Sequence, residues 1–235
     1  MSLFDRFKPR PVKLSPEQAR RLAALIPPAP LANTPLEAQP WAVVDVEATG
    51  LHPQKDQLLA IGVVALEGQI IPLGQGFECT LAANWSKPGP SVLIHGLSPS
   101  AVANGTPPAE ALLGFLEWLQ GRPLLAFHAS FDQSMLSRAI KLTLGLQWGA
   151  PFIDLAQVAP LLCPELATHN HSLDDWAGQF GLQTGERHNA SADALLTAEL
   201  ALMLFSRARR QGLATPLALQ EALARWHRLQ HQPRF

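Results

Sequence analysis

Apolar residues in the first half of the chain fall into short runs divided by polar turns, the spacing of strands rather than helices. Trp41–Leu51 (WAVVDVEATGL) is apolar as far as Val44 and then carries two acids, Asp45 and Glu47. His52–Asp56 (HPQKD) follows as a polar turn. Leu58–Leu66 (LLAIGVVAL) is apolar throughout and suits a central strand, with Gly62 leaving room for a close backbone approach. Glu67-Gly68 turns the chain into Ile70–Leu81, where apolar and polar residues partly alternate. Three strands joined by short turns predict an antiparallel meander.

The periodicity then changes. Residues 82–107 are rich in Pro, Gly, Ser and Asn and are interrupted by Val92–Leu97 (VLIHGL). A loop of that length in a compact domain is more often functional than filler. Pro108–Gln120 has the spacing of an amphipathic helix. Pro123–Phe127 reads as a short buried strand leading into His128-Ala129-Ser130-Phe131-Asp132, with helix continuing to about Leu144. Phe152–Leu155 is another short strand and carries an acid of its own, Asp154. Ser172–Phe180, Ser191–Ala208 and Thr215–Arg228 read as helices. Near the N-terminus, Ser15 as N-cap, Pro16 at the first helical position and Glu17 in the first turn start a helix that runs to about Ile26 and stops at Pro27-Pro28. Pro30–Pro40 reads as an extended linker.

Strands first, then strands alternating with helices, predict an α/β domain with a mixed sheet. The expected divisions are an N-terminal helix and proline-rich linker over 1–40, a domain over 41–206 and a helical extension over 207–235. The first of these is expected to be an appendage whose removal, through residue 38, spares the chemistry.

Residues two apart on a strand share a face, so Asp45 and Glu47 aim at one spot. Two such acids read either as a solvated outer face or as a metal seat. Two further acids bear on the choice. Asp132 lies at the start of a helix just beyond a buried strand, and Asp193 lies in the first turn of the next long helix. Each also suits the helix dipole there. His188 precedes Asp193 by five positions, and a histidine beside clustered carboxylates is a candidate general base.

Bulk properties narrow the class. A chain of 235 residues with 47% hydrophobic and 16% charged residues is globular, with a core of ordinary size. Cys79 and Cys163 form no paired motif, which fits a reducing compartment; with no apolar leader and no long apolar run, a cytoplasmic location is expected and no membrane association. The net charge of −1 conceals an acidic middle: residues 41–206 carry −9, against +3 for 1–40 and +5 for 207–235. Such ends could approach a phosphate backbone, or they are solvated helix faces.

Three segments, V-D-V-E-A-T-G from Val44, H-A-S-F-D from His128 and H-N-A-S-A-D-A-L-L-T-A from His188, resemble in order the three motifs of the DEDD 3′–5′ exonucleases. The subclass with a histidine in its third motif, that of the proofreading epsilon subunit of bacterial DNA polymerase III, is the most similar, over roughly residues 41–206. The resemblance implies a ribonuclease H-like fold with a mixed five-stranded sheet flanked by helices. It implies two Mg²⁺, with Mn²⁺ able to substitute, held by Asp45, Glu47, Asp132 and Asp193, and His188 as general base. The implied reaction is hydrolysis at the 3′ end of DNA, preferably single-stranded, releasing nucleoside 5′-monophosphates. By the same resemblance Ala48, Thr49, Gly50 and Leu51 line the terminal-nucleotide pocket, with His95 and Phe131 nearby.

The chain departs from the family pattern at Ala48, where a threonine is common, at Phe127-His128, where His-Asn is common, and at Ala60, where an acid is common. None is a metal ligand, so altered substrate preference with retained chemistry is expected. RNA ends are the alternative substrate, and a non-catalytic nucleic-acid or polymerase-associated module is the alternative class. The complete set of five residues argues against the latter. Ser2-Leu3-Phe4 and His231–Phe235 are candidate attachments to a polymerase or sliding clamp, whereas His169 and His171 read as loop residues.

Overall fold

The computed structural model describes residues 13–85, 96–167, 172–183, 185 and 189–230. One five-stranded mixed sheet organises them. Its strands are β1 (Trp41–Ala48), β2 (Leu58–Leu66), β3 (Phe77–Thr80), β4 (Leu124–Ala126) and β5 (Phe152–Asp154), in the order β3-β2-β1-β4-β5. β1, β2 and β3 pair antiparallel, as the short turns predict, and β4 and β5 add in parallel through helical crossovers. β1 is therefore the centre of the sheet, and every residue of β2 beside it is buried. The third strand is shorter than its sequence pattern predicts. Pro72 removes a ladder donor, Leu73–Gln75 coils into a 3₁₀ turn, and pairing begins only at Phe77.

Alternation along β1 divides the core. Trp41 and Val43 point to one face, where they pack with helices α5 (Leu155–Leu162), α6 (Leu173–Gln179), α7 (Ala190–Arg210) and α8 (Pro216–Gln230). Ala42, Val44 and Val46 point to the other, against α3 (Pro108–Leu119) and α4 (Ser130–Leu144). The short helices α1 (Pro16–Ala23) and α2 (Pro99–Ala103) complete the set among the described residues. None of these helices is long and apolar enough to cross a membrane.

Residues 13–40 and 207–230 are tied to this body. Ser15 caps α1 as expected and forms a capping box with Gln18, and Arg21 of this helix pairs with Glu110 (2.5 Å) and Glu117 (2.7 Å) on α3. Leu36, inside the proline-rich stretch, is 0% exposed and accepts the Trp41 indole N–H on its carbonyl. The Leu36 N–H in turn donates to the Ala214 carbonyl at 2.9 Å, which joins the stretch before β1 to the stretch before α8. Leu219 and Leu223 of α8 are buried in the same core, and α7 runs unbroken past residue 206. Arg207 and Arg209 pair with Glu165 and Glu37, so part of the basic surplus at the ends is used within the molecule.

Candidate active site

The site lies at the carboxyl end of β1. Asp45 and Glu47 alternate with buried Val44, Val46 and Ala48, and thus face the α7 side together. A register shift between Glu47 and Ala48 breaks the pairing with β2 there and redirects the strand end.

Asp193 reaches this pair because of Gly62. In the β1–β2 register Gly62 stands opposite Asp45, and the N-terminus of α7 packs directly on it. A Cβ at Gly62 would lie 2.2 Å from the Ala190 carbonyl carbon and 2.3 Å from the Ser191 nitrogen. Asn189 caps the helix at that point, accepting the N–H groups of Ser191 and Ala192. Asp193, in the first turn and only 7% exposed, then brings a carboxylate oxygen within 4.8 Å of oxygens of Asp45 and Glu47.

Asp132 is placed by a different device. The N–H of Ala42 points towards β4 and donates to the Pro123 carbonyl. The N–H of Val46 points the same way, but β4 has ended at Ala126 by that level. Asp132, in the first turn of α4 and 3% exposed, supplies the missing acceptor, its Oδ1 lying 3.1 Å from the Val46 nitrogen. Burial pushes the Asp132 carboxyl well above the ordinary range; the Val46 N–H and its own N–H oppose this, and the charges of Asp154 and Glu47 add to it. The structure thus brings Asp45, Glu47 and Asp193 into one cluster and sets Asp132 behind them, anchored to the peptide between the two strand acids.

This donor set suits hard divalent cations. Three acids at about 5 Å repel by about 3 kcal/mol per pair at an effective dielectric near 20, a cost that positive charge removes. Among the described residues the gathered donors are all carboxylate oxygens, which suit hard cations such as Mg²⁺ or Mn²⁺.

The loop after β1 is shaped by Asp56, which sequence reading placed only in a polar turn. Its Oδ1 accepts the Thr49 hydroxyl (3.0 Å) and its Oδ2 the His52 N–H (2.8 Å). Thr49 Oγ1 also accepts the Gln57 N–H at 3.0 Å. Its hydroxyl therefore closes the loop. Gly50 leaves space for the Asp56 carboxylate, 2.6 Å from where a Cβ would stand. Arg138 of α4 donates to the Asp56 carbonyl at 2.8 Å. The result holds Leu51 outward, 85% exposed, which removes core packing as an explanation for it. Ala48 is buried, and half-buried Phe131 packs against the α3–α4 core. Ala60, opposite Glu47, is buried too. His188, His95, His169, His171, Ser2–Phe4 and His231–Phe235 lie outside the described residues.

Comparison with known proteins identifies a family. Residues 42–201 match the model of the Exonuclease family. The chain is 30% identical over 188 residues to a DNA polymerase III subunit epsilon-like protein of Rhodobacter capsulatus, covering 79% of this chain and 26% of the relative. It is 31% identical over 184 residues to a PolC-type DNA polymerase III of Thermotoga maritima, covering 78% of this chain and 13% of that protein. The chain thus spans about a quarter or less of the length of these relatives. In structure it resembles E. coli exonuclease I solved with a dT13 oligonucleotide, with a TM-score of 0.62 at 19% identity over 74% of this chain and 42% of that one. That likeness is one of fold, the ribonuclease H-like sheet flanked by helices. With its motif carboxylates gathered at the end of β1 and nearly the whole sheet inside the matched region, the chain belongs to the Exonuclease family.

Proposed function

We propose that this chain is a metal-dependent 3′–5′ exonuclease that hydrolyses the phosphodiester bond at the 3′ end of DNA, preferably single-stranded, and releases nucleoside 5′-monophosphates. The observation that carries the reading is the convergence of Asp45, Glu47 and Asp193 within 4.8 Å, on a chain of the Exonuclease family. Asp45, Glu47 and Asp193, with Asp132 at their side, would hold two Mg²⁺, or Mn²⁺ in their place. Cations bound there supply Lewis-acid stabilisation of the phosphoryl oxygens and make water a better nucleophile.

The chain's own residues then divide the work. His188 directly precedes the α7 cap Asn189 in sequence and takes the proton of the attacking water as general base. Asp132 keeps the peptide at Val46 fixed and holds the line of the strand acids. The loop closed by Thr49 and Asp56 presents exposed Leu51 to the base of the terminal nucleotide, and Ala48, Gly50, Phe131 and His95 are assigned to the same pocket by the family resemblance. DNA is preferred over RNA on the names of the relatives, which are DNA polymerase III proteins, and of exonuclease I, solved with an oligodeoxynucleotide. Those names also support association with a polymerase.

The test is release of label from 3′-labelled single-stranded DNA and RNA with Mg²⁺ or Mn²⁺. Faster metal-dependent release of mononucleotide from DNA is expected. Faster release from RNA would turn the assignment to an exoribonuclease, and no metal-dependent product from either would leave the non-catalytic module.

A further inference from the structure

Asp154 is the acid that neither the family motifs nor the carboxylate cluster uses. It is the last residue of β5 and stands opposite Ala126, the last residue of β4. Its Oδ1 accepts two N–H groups. One is Ala156, 3.0 Å away, which caps α5. The other is His128, 2.9 Å away on the neighbouring crossover and twenty-six positions earlier in sequence. Capping α5 needs only the first of these bonds.

His128 is where the chain turns from β4 into α4, and its backbone is left-handed, with φ of 63°. A residue with a Cβ enters that region only where its surroundings hold it. The turn then closes on itself, with the His128 carbonyl accepting the Phe131 N–H at 3.1 Å and the Ala129 carbonyl accepting the Gln133 N–H at 2.9 Å. Asp132 comes next in this turn and bonds Val46 between the two strand acids.

We propose that Asp154 is a positioning residue for the cation site. As acceptor for the His128 N–H, it holds the left-handed turn that delivers Asp132 to the end of β1. The role depends on one acceptor oxygen and not on negative charge, so asparagine can fill it and alanine cannot. The effect on turnover rests on the exonuclease reading, whereas the effects on the turn and on cation binding do not.

The experiment compares the full chain with Asp154→Asn, Asp154→Ala and the pair His128→Gly/Asp154→Ala. Three readouts are taken: amide exchange of the 124–132 segment without metal, Mn²⁺ affinity by calorimetry, and kcat and KM on a 3′-labelled oligodeoxynucleotide. Asp154→Asn is expected to stay within about threefold of the parent in all three. Asp154→Ala is expected to lose protection at His128, and to lose Mn²⁺ affinity and kcat by about 10- to 100-fold with little change in KM. Glycine adopts the left-handed turn freely, so the pair is expected to fold even if the single alanine variant does not, and to recover part of the Mn²⁺ affinity. Asparagine failing as badly as alanine, with His128 still protected, would overturn the proposal in favour of a charge acting at the site. Parent-like Mn²⁺ affinity in the alanine variant or, if that variant does not fold, lack of Mn²⁺ binding by a folded pair would also overturn it. If the parent binds Mn²⁺ but releases no nucleotide, the exonuclease reading fails while the first two readouts still decide this one.

Discussion

Acids line two regions of this molecule and behave in opposite ways. Along α3, Glu110 and Glu117 receive Arg21 of α1, with the Gln18 amide also bonding Glu110. Glu117 is held below the ordinary range chiefly by its hydrogen bond to Arg21, and Glu110 by those to Gln18 and then Arg21. At the end of β1, burial and neighbouring acids push Asp132 the other way. Charge at the first region helps the terminal helix dock. At the second, burial and neighbouring acids disfavour the charged form of Asp132, and the domain core holds it there. A buried acid disfavoured in its charged form beside other gathered acids marks a candidate site.

Neutralising the site should separate activity from stability most sharply. Glu47→Gln is expected to reduce nucleotide release to the assay background, while the metal-free protein melts no lower than the parent. The matching change Glu117→Gln should leave turnover intact. A melting point that falls in Glu47→Gln would contradict the picture of mutual repulsion.

Gly62→Ala should break the site through the backbone alone. With a Cβ 2.2 Å from Ala190, α7 must move off β2, at a cost of about 3 kcal/mol or more and with loss of metal binding. Denaturant unfolding and calorimetry would check both. The docking side has its own test in a pair of truncations. Removing residues 1–38 takes away fully buried Leu36, and it should be less stable than removal of 1–35 by about 2–4 kcal/mol. Equal stability would show the proline-rich stretch to be a mere tether.

Smaller effects should follow cations and protons. Mg²⁺ or Mn²⁺ at a hundredfold excess over Kd should stabilise the parent by about 2.7 kcal/mol per bound cation, and thermal melts of Glu47→Gln should lose most of that gain. Without metal, the two regions should respond to pH with opposite sign. Asp132 has a folded pKa above its unfolded one, so its contribution is greatest below the ordinary value near 3.9 and is lost as pH rises through the folded value. Glu117 is shifted down, so its contribution is present above the ordinary value near 4.3 and is lost as pH falls through the folded one. Asp132→Asn should remove the first dependence and Arg21→Ala the second, the latter with a small fall in melting temperature and unchanged turnover.

Much of this was legible along the chain. The meander, the interior strand Leu58–Leu66, the capped helix from Pro16 and the space-making role of Gly62 all follow from local pattern, because burial and turn chemistry are local demands. Strand ends were less legible: Pro72 and the 3₁₀ turn shorten β3, and the helix of Leu155–Leu162 carries a proline within it. Asp56 could have been found, since an aspartate closing a polar loop readily bonds local N–H groups, but the hydroxyl it takes belongs to Thr49 across the loop.

The sequence by itself determined which acids are candidates for the site, because acids at strand ends and helix starts in the order Asp45, Glu47, Asp132, Asp193 are tied to their elements. Tertiary structure alone decided how they meet. Asp193 joins the strand pair only because α7 rests on Gly62, and Asp132 stands behind the pair only because β4 stops short of Val46 and leaves its N–H to be filled. Those are contacts between segments 86 or more residues apart, set by strand order and helix packing, and no local pattern encodes them.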